Sequence, residues 1–166
     1  MGAKSYFLVD DKIQSMDDEF VDGIEKNEPT SNLALADVNV LVIDDNPINL
    51  IVAEKTLSKF GAKSIKALSA KEGIQKFSSE SVNLILMDLH MPGIDGYKAT
   101  ALLHETEKFK NQPVPVLAYT TFAYDEVREK LQFYKLDGYI GKPFTQSQVF
   151  ETIMSVLSIT QNSKQA

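Results

Sequence analysis

Acidic residues directly follow two apolar runs that have the length of buried strands. Asp44 and Asp45 follow the run 38–43, and Asp88 follows the run 82–87. Carboxylates grouped in this way can hold a hard cation through their oxygens, and one of them can act as a nucleophile. The pattern therefore indicates a site that binds a cation and uses one acid for covalent chemistry.

The charges at such a site restrict the chemistry. Two like charges about 4 Å apart repel by about 4 kcal/mol at an effective dielectric of about 20, so three acids need a cation or a proton. Lys142, which follows a further short apolar run, can offset one charge, and a divalent ion such as Mg²⁺ can offset more. With the hydroxyl of Thr120, these groups suit phosphoryl transfer to an aspartate.

Strand-like and helix-like segments alternate from residue 38 onward, which predicts an α/β fold with a doubly wound, five-stranded parallel sheet and helices on both faces. Asn46 and Pro47 are a good N-cap and first helical residue, and Ser69 can cap the next helix. Strands are predicted at about 38–44, 63–68, 82–87, 114–119 and 138–141. Helices are predicted from 46 to 61 and at about 70–79, 95–109, 123–135 and 145–159.

Ligands of open parallel sheets bind outside the carboxyl ends of the strands, where the strand order reverses. With the flavodoxin-like order 2-1-3-4-5, the first and third predicted strands are neighbours at that point. Asp44, Asp45 and Asp88 would then share one rim of the sheet with Thr120 and Lys142.

Composition excludes several classes of protein. The chain of 166 residues has no cysteine and no apolar run long enough for a membrane helix. Residues 1–37 hold nine acidic residues and three lysines, whereas 38–166 are balanced with 14 of each sign, so nucleic-acid binding is not indicated. We expect a cytoplasmic domain without direct membrane contact, either free or tethered through a longer parent protein.

The first 37 residues are interpreted as an acidic linker or tail, the domain as 38–159, and 160–166 as a C-terminal tail. The run Tyr6–Asp11 imitates the end of the first strand, but the residue 43 positions past Asp11 is Glu54, which lies inside a helical pattern and not at a strand end. A short helix near 14–26, or a last strand of a preceding domain at 4–9, are alternatives for this segment.

Five separated motifs occur in order along the chain: Asp44-Asp45, Met87 to Gly96, Thr120, Gly138-Tyr139 and Lys142-Pro143-Phe144. Their residues and spacings resemble the receiver domain of two-component response regulators, over about 38–159. The stretch 44–49, Asp-Asp-Asn-Pro-Ile-Asn, further resembles receivers attached to hybrid sensor histidine kinases.

The resemblance implies a role for each matched residue. Asp88 would accept a phosphoryl group from a phosphohistidine. Asp45, Asp88 and the backbone carbonyl of His90 would bind Mg²⁺ directly, and Asp44 would hold it through water. Lys142 would pair with the phosphoryl oxygens. The implied partner is a histidine kinase or a histidine phosphotransfer protein, and the only enzyme activity implied for the domain itself is its own phosphorylation and dephosphorylation.

The resemblance also implies a switch and a control of its lifetime. Thr120 and Tyr139 would move when the phosphoryl group forms, which biases a two-state surface. His90 and Phe122, two residues past Asp88 and Thr120, would tune hydrolysis. Thr121 stands where a small residue is usual, and we hypothesise that Thr121 and Phe122 slow the access of water.

The first predicted helix carries a broad apolar stripe whose inward face is predicted at positions 49, 52, 53, 57 and 60. Ile48 would lie at its rim and Leu50 away from it. These two side chains are hypothesised to form a docking patch for a histidine-bearing partner, against the simpler alternative of core packing.

Simpler alternatives exist for single residues: Asp44 and Asp45 as helix caps, Thr120 as a strand end, and Lys142 as a solvated loop residue. Two other functions also compete. A Mg²⁺-dependent aspartyl phosphohydrolase would want an acid two residues past the nucleophile, where this chain has His90. An interaction module that is not phosphorylated would be expected to have lost Asp45, Asp88 or Lys142.

Overall fold

A central seven-stranded sheet organises the chain. The computed structural model describes residues 5–9, 12–15 and 34–165, and the side chains of 34–158. The described strands are β1 Ser5–Val9, β2 Lys12–Ser15, β3 Asn39–Ile43, β4 Lys63–Ala67, β5 Leu84–Met87, β6 Val116–Thr120 and β7 Gly138–Gly141. The described helices are α1 Pro47–Ser58, α2 Ala70–Ser79, α3 Gly96–Glu105, α4 Glu107–Asn111, α5 Tyr124–Phe133 and α6 Gln146–Gln165.

The five predicted strands are β3 to β7, and they pair in parallel in the order β4-β3-β5-β6-β7. This is the predicted order 2-1-3-4-5, so the fold class is confirmed. Strands β3 and β5 are therefore neighbours, and the order reverses at β3. That arrangement brings the two acid-bearing strand ends side by side.

Helices cover both faces of the parallel sheet, which explains why its central strands are apolar on both sides. Because alternate strand residues face opposite ways, Leu41 and Ile43 pack in the core beneath α2, α3 and α5. Val40 and Val42 pack in the other core, beneath α1 and α6. The acids that follow these strands are anchored by two buried layers.

Helices α1 and α2 begin at residues whose side chains cap them. The Asn46 side chain accepts the Ile48 amide, and Pro47 is the first residue of α1. The Ser69 hydroxyl accepts the Glu72 amide at α2, as the sequence predicts. Each cap fixes a helix start close to the carboxyl end of the preceding strand.

The prediction of one helix at 95–109 is wrong, because this segment forms two helices, α3 and α4. Thr106 ends α3 and has an extended backbone conformation, with φ −67° and ψ 142°. Its hydroxyl accepts the Phe109 amide at 3.2 Å and thereby starts α4. The Thr106 side chain therefore breaks the helix, although the spacing of the apolar residues continues through it as in a single helix.

The N-terminal segment differs from a simple linker, since β1 pairs antiparallel with β7 and with β2. The apolar run 6–9 can form a strand, and the outer edge of β7 offers unpaired backbone groups to it. The short helix considered near 14–26 falls almost wholly on residues outside the described part of the chain. Among the described residues, no helix is long and apolar enough to cross a membrane.

Candidate functional site

Four strand ends meet at one rim of the sheet. Asp44 follows β3, Asp88 follows β5, Thr120 ends β6, and Lys142 follows β7. Backbone hydrogen bonds continue the sheet past the strands: the Asp88 amide donates to the Ile43 carbonyl at 2.9 Å, and the Lys142 amide donates to the Thr120 carbonyl at 2.7 Å. The predicted polar residues are thus held by the ladder itself.

Asp44 is the most enclosed acid of the rim, with no exposed surface. Its carboxylate accepts the Asn46 amide at 2.8 Å and the Asn49 side-chain amide at 3.1 and 3.0 Å. The Lys142 ammonium lies 2.5 Å from its Oδ2. A buried carboxylate needs such partners, and their number leaves Asp44 little capacity for a further direct ligand.

Asp88 is buried but has fewer partners. One of its oxygens, Oδ1, accepts the His90 amide at 3.3 Å and lies 3.9 Å from the Lys142 ammonium. Burial raises the pKa of the Asp88 carboxyl, the Lys142 ammonium and the His90 amide oppose that rise, and Asp44 and Asp45 add to it. Asp88 therefore keeps lone pairs available for a cation or an electrophile.

The three acids can share one ion. One carboxylate oxygen from each of Asp44, Asp45 and Asp88 lies within 4.8 Å of the others. Three carboxylates and the Lys142 ammonium leave two net negative charges, which a divalent cation would balance. Hard oxygen donors with an exposed side at Asp45 suit Mg²⁺, which keeps water in its coordination shell.

Thr120 and Tyr139 are linked through the backbone of Phe122. The Thr120 hydroxyl, fully buried, lies 3.4 Å from the Phe122 amide nitrogen, which donates to it. The Tyr139 hydroxyl donates to the Phe122 carbonyl at 2.6 Å, and the ring is buried. The backbone of Phe122 thus makes one hydrogen bond with each of the two side chains.

The aromatic rings of His90 and Phe122 meet edge to face beside the acids, with centroids 5.8 Å apart. A cavity of about 380 Å³ opens next to this pair, between the start of α3 and α5. Thr121 is exposed to solvent. His90 and Phe122 are exposed as well, so all three side chains reach solvent.

The loop after Asp88 is fixed by the close approach of Gly96, the first residue of α3. A β-carbon at this position would lie 2.2 Å from the Asp88 carbonyl oxygen. Gly93 has a φ of +80°, the left-handed conformation that favours glycine. Glycines at both positions let the chain turn sharply while α3 packs directly on the backbone of Asp88.

The predicted docking pair is separated by the structure. Ile48 is 66% exposed, whereas Leu50 is buried in the core under α1, so its assignment to a docking patch is wrong. The inward face of α1 carries Leu50, Ala53 and Leu57. The predicted face was rotated because α1 has apolar residues on both sides, which leaves the sequence pattern without a clear direction.

Sequence reasoning missed two neighbours of the charged residues, Asn49 and Tyr119. Asn49 lies on the first turn of α1, facing back toward Asp44, a position that its five-residue spacing could have suggested. Tyr119 lies under Lys142, with its ring centroid 4.3 Å from the ammonium nitrogen. No short-range spacing links Tyr119 to Lys142, because they come from different strands.

The chain belongs to the response regulator receiver domain family, whose model matches residues 40–154. It is 28% identical over 130 residues to the sensor histidine kinase GacS of Pseudomonas protegens, covering 78% of this chain and 14% of GacS. It thus spans about one seventh of that relative. The polar-differentiation response regulator DivK of Brucella ovis is 29% identical over 119 residues, covering 72% of this chain and 95% of DivK.

A solved structure shows the same fold at comparable similarity. The receiver domain of the histidine kinase CKI1 from Arabidopsis thaliana, complexed with Mg²⁺ and BeF₃⁻, is 27% identical, with a TM-score of 0.64. The match covers 78% of this chain and 96% of that one. The protein is therefore a receiver domain of the two-component phosphorelay type, and the resemblance drawn from its motifs is confirmed.

Proposed function

We propose that Asp88 is the phosphoacceptor of this receiver, and that it takes the phosphoryl group from a phosphohistidine. The observation that carries the proposal is the environment of this carboxylate, which is 7% exposed, lies 3.9 Å from the Lys142 ammonium and shares a cluster with two other acids. Of the two buried acids in the cluster, Asp44 already has several donors, whereas Asp88 has oxygen lone pairs to spare.

In the proposed reaction, an Asp88 carboxylate oxygen attacks phosphorus and forms an O–P bond. The P–N bond to the donor histidine breaks, and the imidazole nitrogen keeps the electron pair and takes a proton from solvent. Lys142, held at the rim, would pair with a phosphoryl oxygen. Asp45, Asp88 and the backbone carbonyl of His90 would hold Mg²⁺, with Asp44 beside them, and a bound ion would supply positive charge for the transferring group.

The switch is proposed to start at Thr120 and to end at Tyr139. A hydroxyl that turns toward the new phosphoryl oxygens would give up its bond with the Phe122 amide. The Phe122 carbonyl also accepts a hydrogen bond from the Tyr139 hydroxyl. A shift of the Phe122 backbone would therefore move Tyr139, and with it β7 and the helices packed beside it. Local electrostatics would then bias a surface that partners contact.

The lifetime of the phosphoryl group is proposed to depend on Thr121 and on the pair His90 and Phe122. Their position above the rim supports restricted access for the hydrolytic water. We expect Thr121→Ala to speed dephosphorylation several-fold, because lowering the barrier to hydrolysis by about 1 kcal/mol raises the rate by that factor. A rate equal to or slower than that of the wild type, followed by intact mass after removal of the donor, would contradict this role.

The partner is proposed to be a histidine kinase or a histidine phosphotransfer protein that docks on α1. Ile48, Ile51 and Val52 are exposed on this helix, which starts at the rim. A patch of this kind suits the apolar face of a histidine-bearing helix. The similarity to the sensor histidine kinase GacS supports a hybrid histidine kinase as the parent protein.

The decisive experiment is phosphorylation with a small donor. After incubation with phosphoramidate and Mg²⁺, intact mass should show one added phosphoryl group on the wild type and none on Asp88→Asn. Asp95→Asn is the matched control, because Asp95 caps α3 close to the same loop and asparagine caps equally well. No addition to the wild type would favour an interaction module that is not phosphorylated, and addition to Asp88→Asn would place the acceptor elsewhere.

A further inference from the structure

Tyr119 forms the floor beneath the Lys142 side chain. The ring is 1% exposed and belongs to the core under α1 and α6, where it also contacts Phe144 with centroids 5.3 Å apart. The Lys142 ammonium lies 4.3 Å from the centre of the Tyr119 ring. This is a cation–π contact, and its attraction is larger where water is excluded.

Three groups surround the ammonium, and they differ in how constant their charge is. Asp44 lies at 2.5 Å and Asp88 at 3.9 Å. A bound divalent cation would compete with the lysine for both carboxylates, and a phosphoryl group bonded to one Asp88 oxygen would remove the carboxylate charge. The Tyr119 ring keeps the same charge distribution throughout. It can therefore hold the ammonium at the rim while the acids change partners.

Lysine needs such a restraint because its ammonium is a point charge on a flexible four-carbon stem. The Lys142 side chain is only 9% exposed, and its ammonium lies 4.3 Å from the centre of the Tyr119 ring, which limits its movement. We propose that Tyr119 is a positioning residue that aims the Lys142 ammonium at the phosphoryl group on Asp88. This inference rests on the proposed roles of Asp88 and Lys142.

The alternative is that Tyr119 only fills the core. The two roles separate by substitution, because Phe keeps the aromatic face, whereas Leu keeps apolar bulk and removes the ring. If the ring only packs, Leu and Phe should differ in stability and not in the environment of Lys142. If the ring positions the ammonium, Phe should behave as the wild type and Leu should not.

Two measurements test the proposal on the whole chain. The first is the NMR chemical shift of the Lys142 ε-methylene protons, which the ring current of Tyr119 should move upfield in the wild type and in Tyr119→Phe but not in Tyr119→Leu. The second is the rate of phosphoryl incorporation from phosphoramidate with saturating Mg²⁺. We expect Tyr119→Phe to match the wild type and Tyr119→Leu to be about tenfold slower.

The outcomes are separable. An ordinary shift for Lys142 in the wild type, or a folded Tyr119→Leu that reacts at the wild-type rate, overturns the proposal. If Tyr119→Leu does not fold, Tyr119→Met takes its place, and the wild-type shift still decides whether the contact exists. If the wild type gains no phosphoryl group at all, the proposed function fails and the positioning role fails with it, whatever the Lys142 shift.

Discussion

Asp88 and Asp137 are two buried or half-buried acids at opposite ends of the same sheet. Asp88 follows β5 at the carboxyl ends of the strands, and Asp137 precedes β7 at their amino ends. Burial is the largest cause of a raised pKa at both, and it brings the pKa of Asp137 to about 6. The two acids differ in the groups that surround them.

Asp137 has the surroundings of a structural residue. One oxygen accepts the Val116 amide at 2.8 Å, and its own amide donates to the Val116 carbonyl at 2.8 Å, which joins the starts of β6 and β7. Asp88 instead has an ammonium and two acids within reach. A perturbed pKa therefore indicates burial, and a functional site needs charged partners as well.

The largest stability effect is expected from Lys142→Met. The side chains of Lys142 and Asp44 are 9% and 0% exposed, so the variant leaves a buried carboxylate without its cation. We expect a loss of about 3 kcal/mol in urea unfolding without Mg²⁺. Lys66→Met is the control, because the Lys66–Glu54 pair is 40% and 43% exposed and should lose about 1 kcal/mol or less. Equal losses of stability in the two variants would show that the buried Lys142–Asp44 pair matters no more than an exposed pair.

Asp137→Asn should stabilise the protein at neutral pH. The pKa of Asp137 rises from 3.8 to about 6 on folding, so the folded state binds its proton more tightly. Ionisation therefore costs stability as pH rises from about 4 to about 6, by about 3 kcal/mol in the limit of the full pKa difference. Asparagine can still accept the Val116 amide and carries no charge.

The measurement is urea unfolding of wild type and Asp137→Asn at several pH values. The gain of the variant should be largest at pH 7 and should disappear at about pH 3, where Asp137 is protonated in the folded and the unfolded states alike. Its phosphorylation by phosphoramidate should be unchanged, unlike that of Asp88→Asn. A gain in stability that does not depend on pH would contradict a raised pKa at Asp137. A loss of phosphorylation would show that Asp137 takes part in the function and is not only structural.

The smallest effect is expected from Asn49→Ala. The variant removes the side-chain amide that donates to both oxygens of Asp44, although Lys142 and the Asn46 amide remain. We expect a loss of about 1 kcal/mol in urea unfolding, reduced by the better helix propensity of alanine. Asn111→Ala, at an exposed position at the end of α4, should change stability by less than about 0.5 kcal/mol. If Asn49→Ala is as stable as the wild type, the Asn49 side chain does not stabilise the Asp44 carboxylate.

Local signals were enough for much of the fold. The apolar runs ending at Ile43 and Met87 predicted central strands, because strands buried on both faces have no polar alternation. Asn46, Pro47 and Ser69 marked helix starts through chemistry that acts within three residues. The break at Thr106 was missed because a capping threonine has no distinctive neighbours in an otherwise helical pattern.

The rotation of α1 about its own axis could not be predicted from the local sequence pattern. Leu50 and Ile48 are both apolar and two residues apart, yet one is buried and the other is 66% exposed. Nothing within the helix decides which side meets the sheet, because apolar residues occupy both. The rotation of α1 is set by Val40, Val42 and the residues of α6 that it packs against.

The acids, the hydroxyl and the lysine of the rim could be found from the sequence, since they depend on short apolar runs and the residues that flank them. Their individual environments could not, because these come from the packing of separate strands and helices. Asp44 is enclosed by Lys142 and Asn49, Asp88 keeps free lone pairs, and the Tyr119 ring lies under the ammonium. Those contacts join residues from different strands and helices, so they exist only once the sheet has set its order.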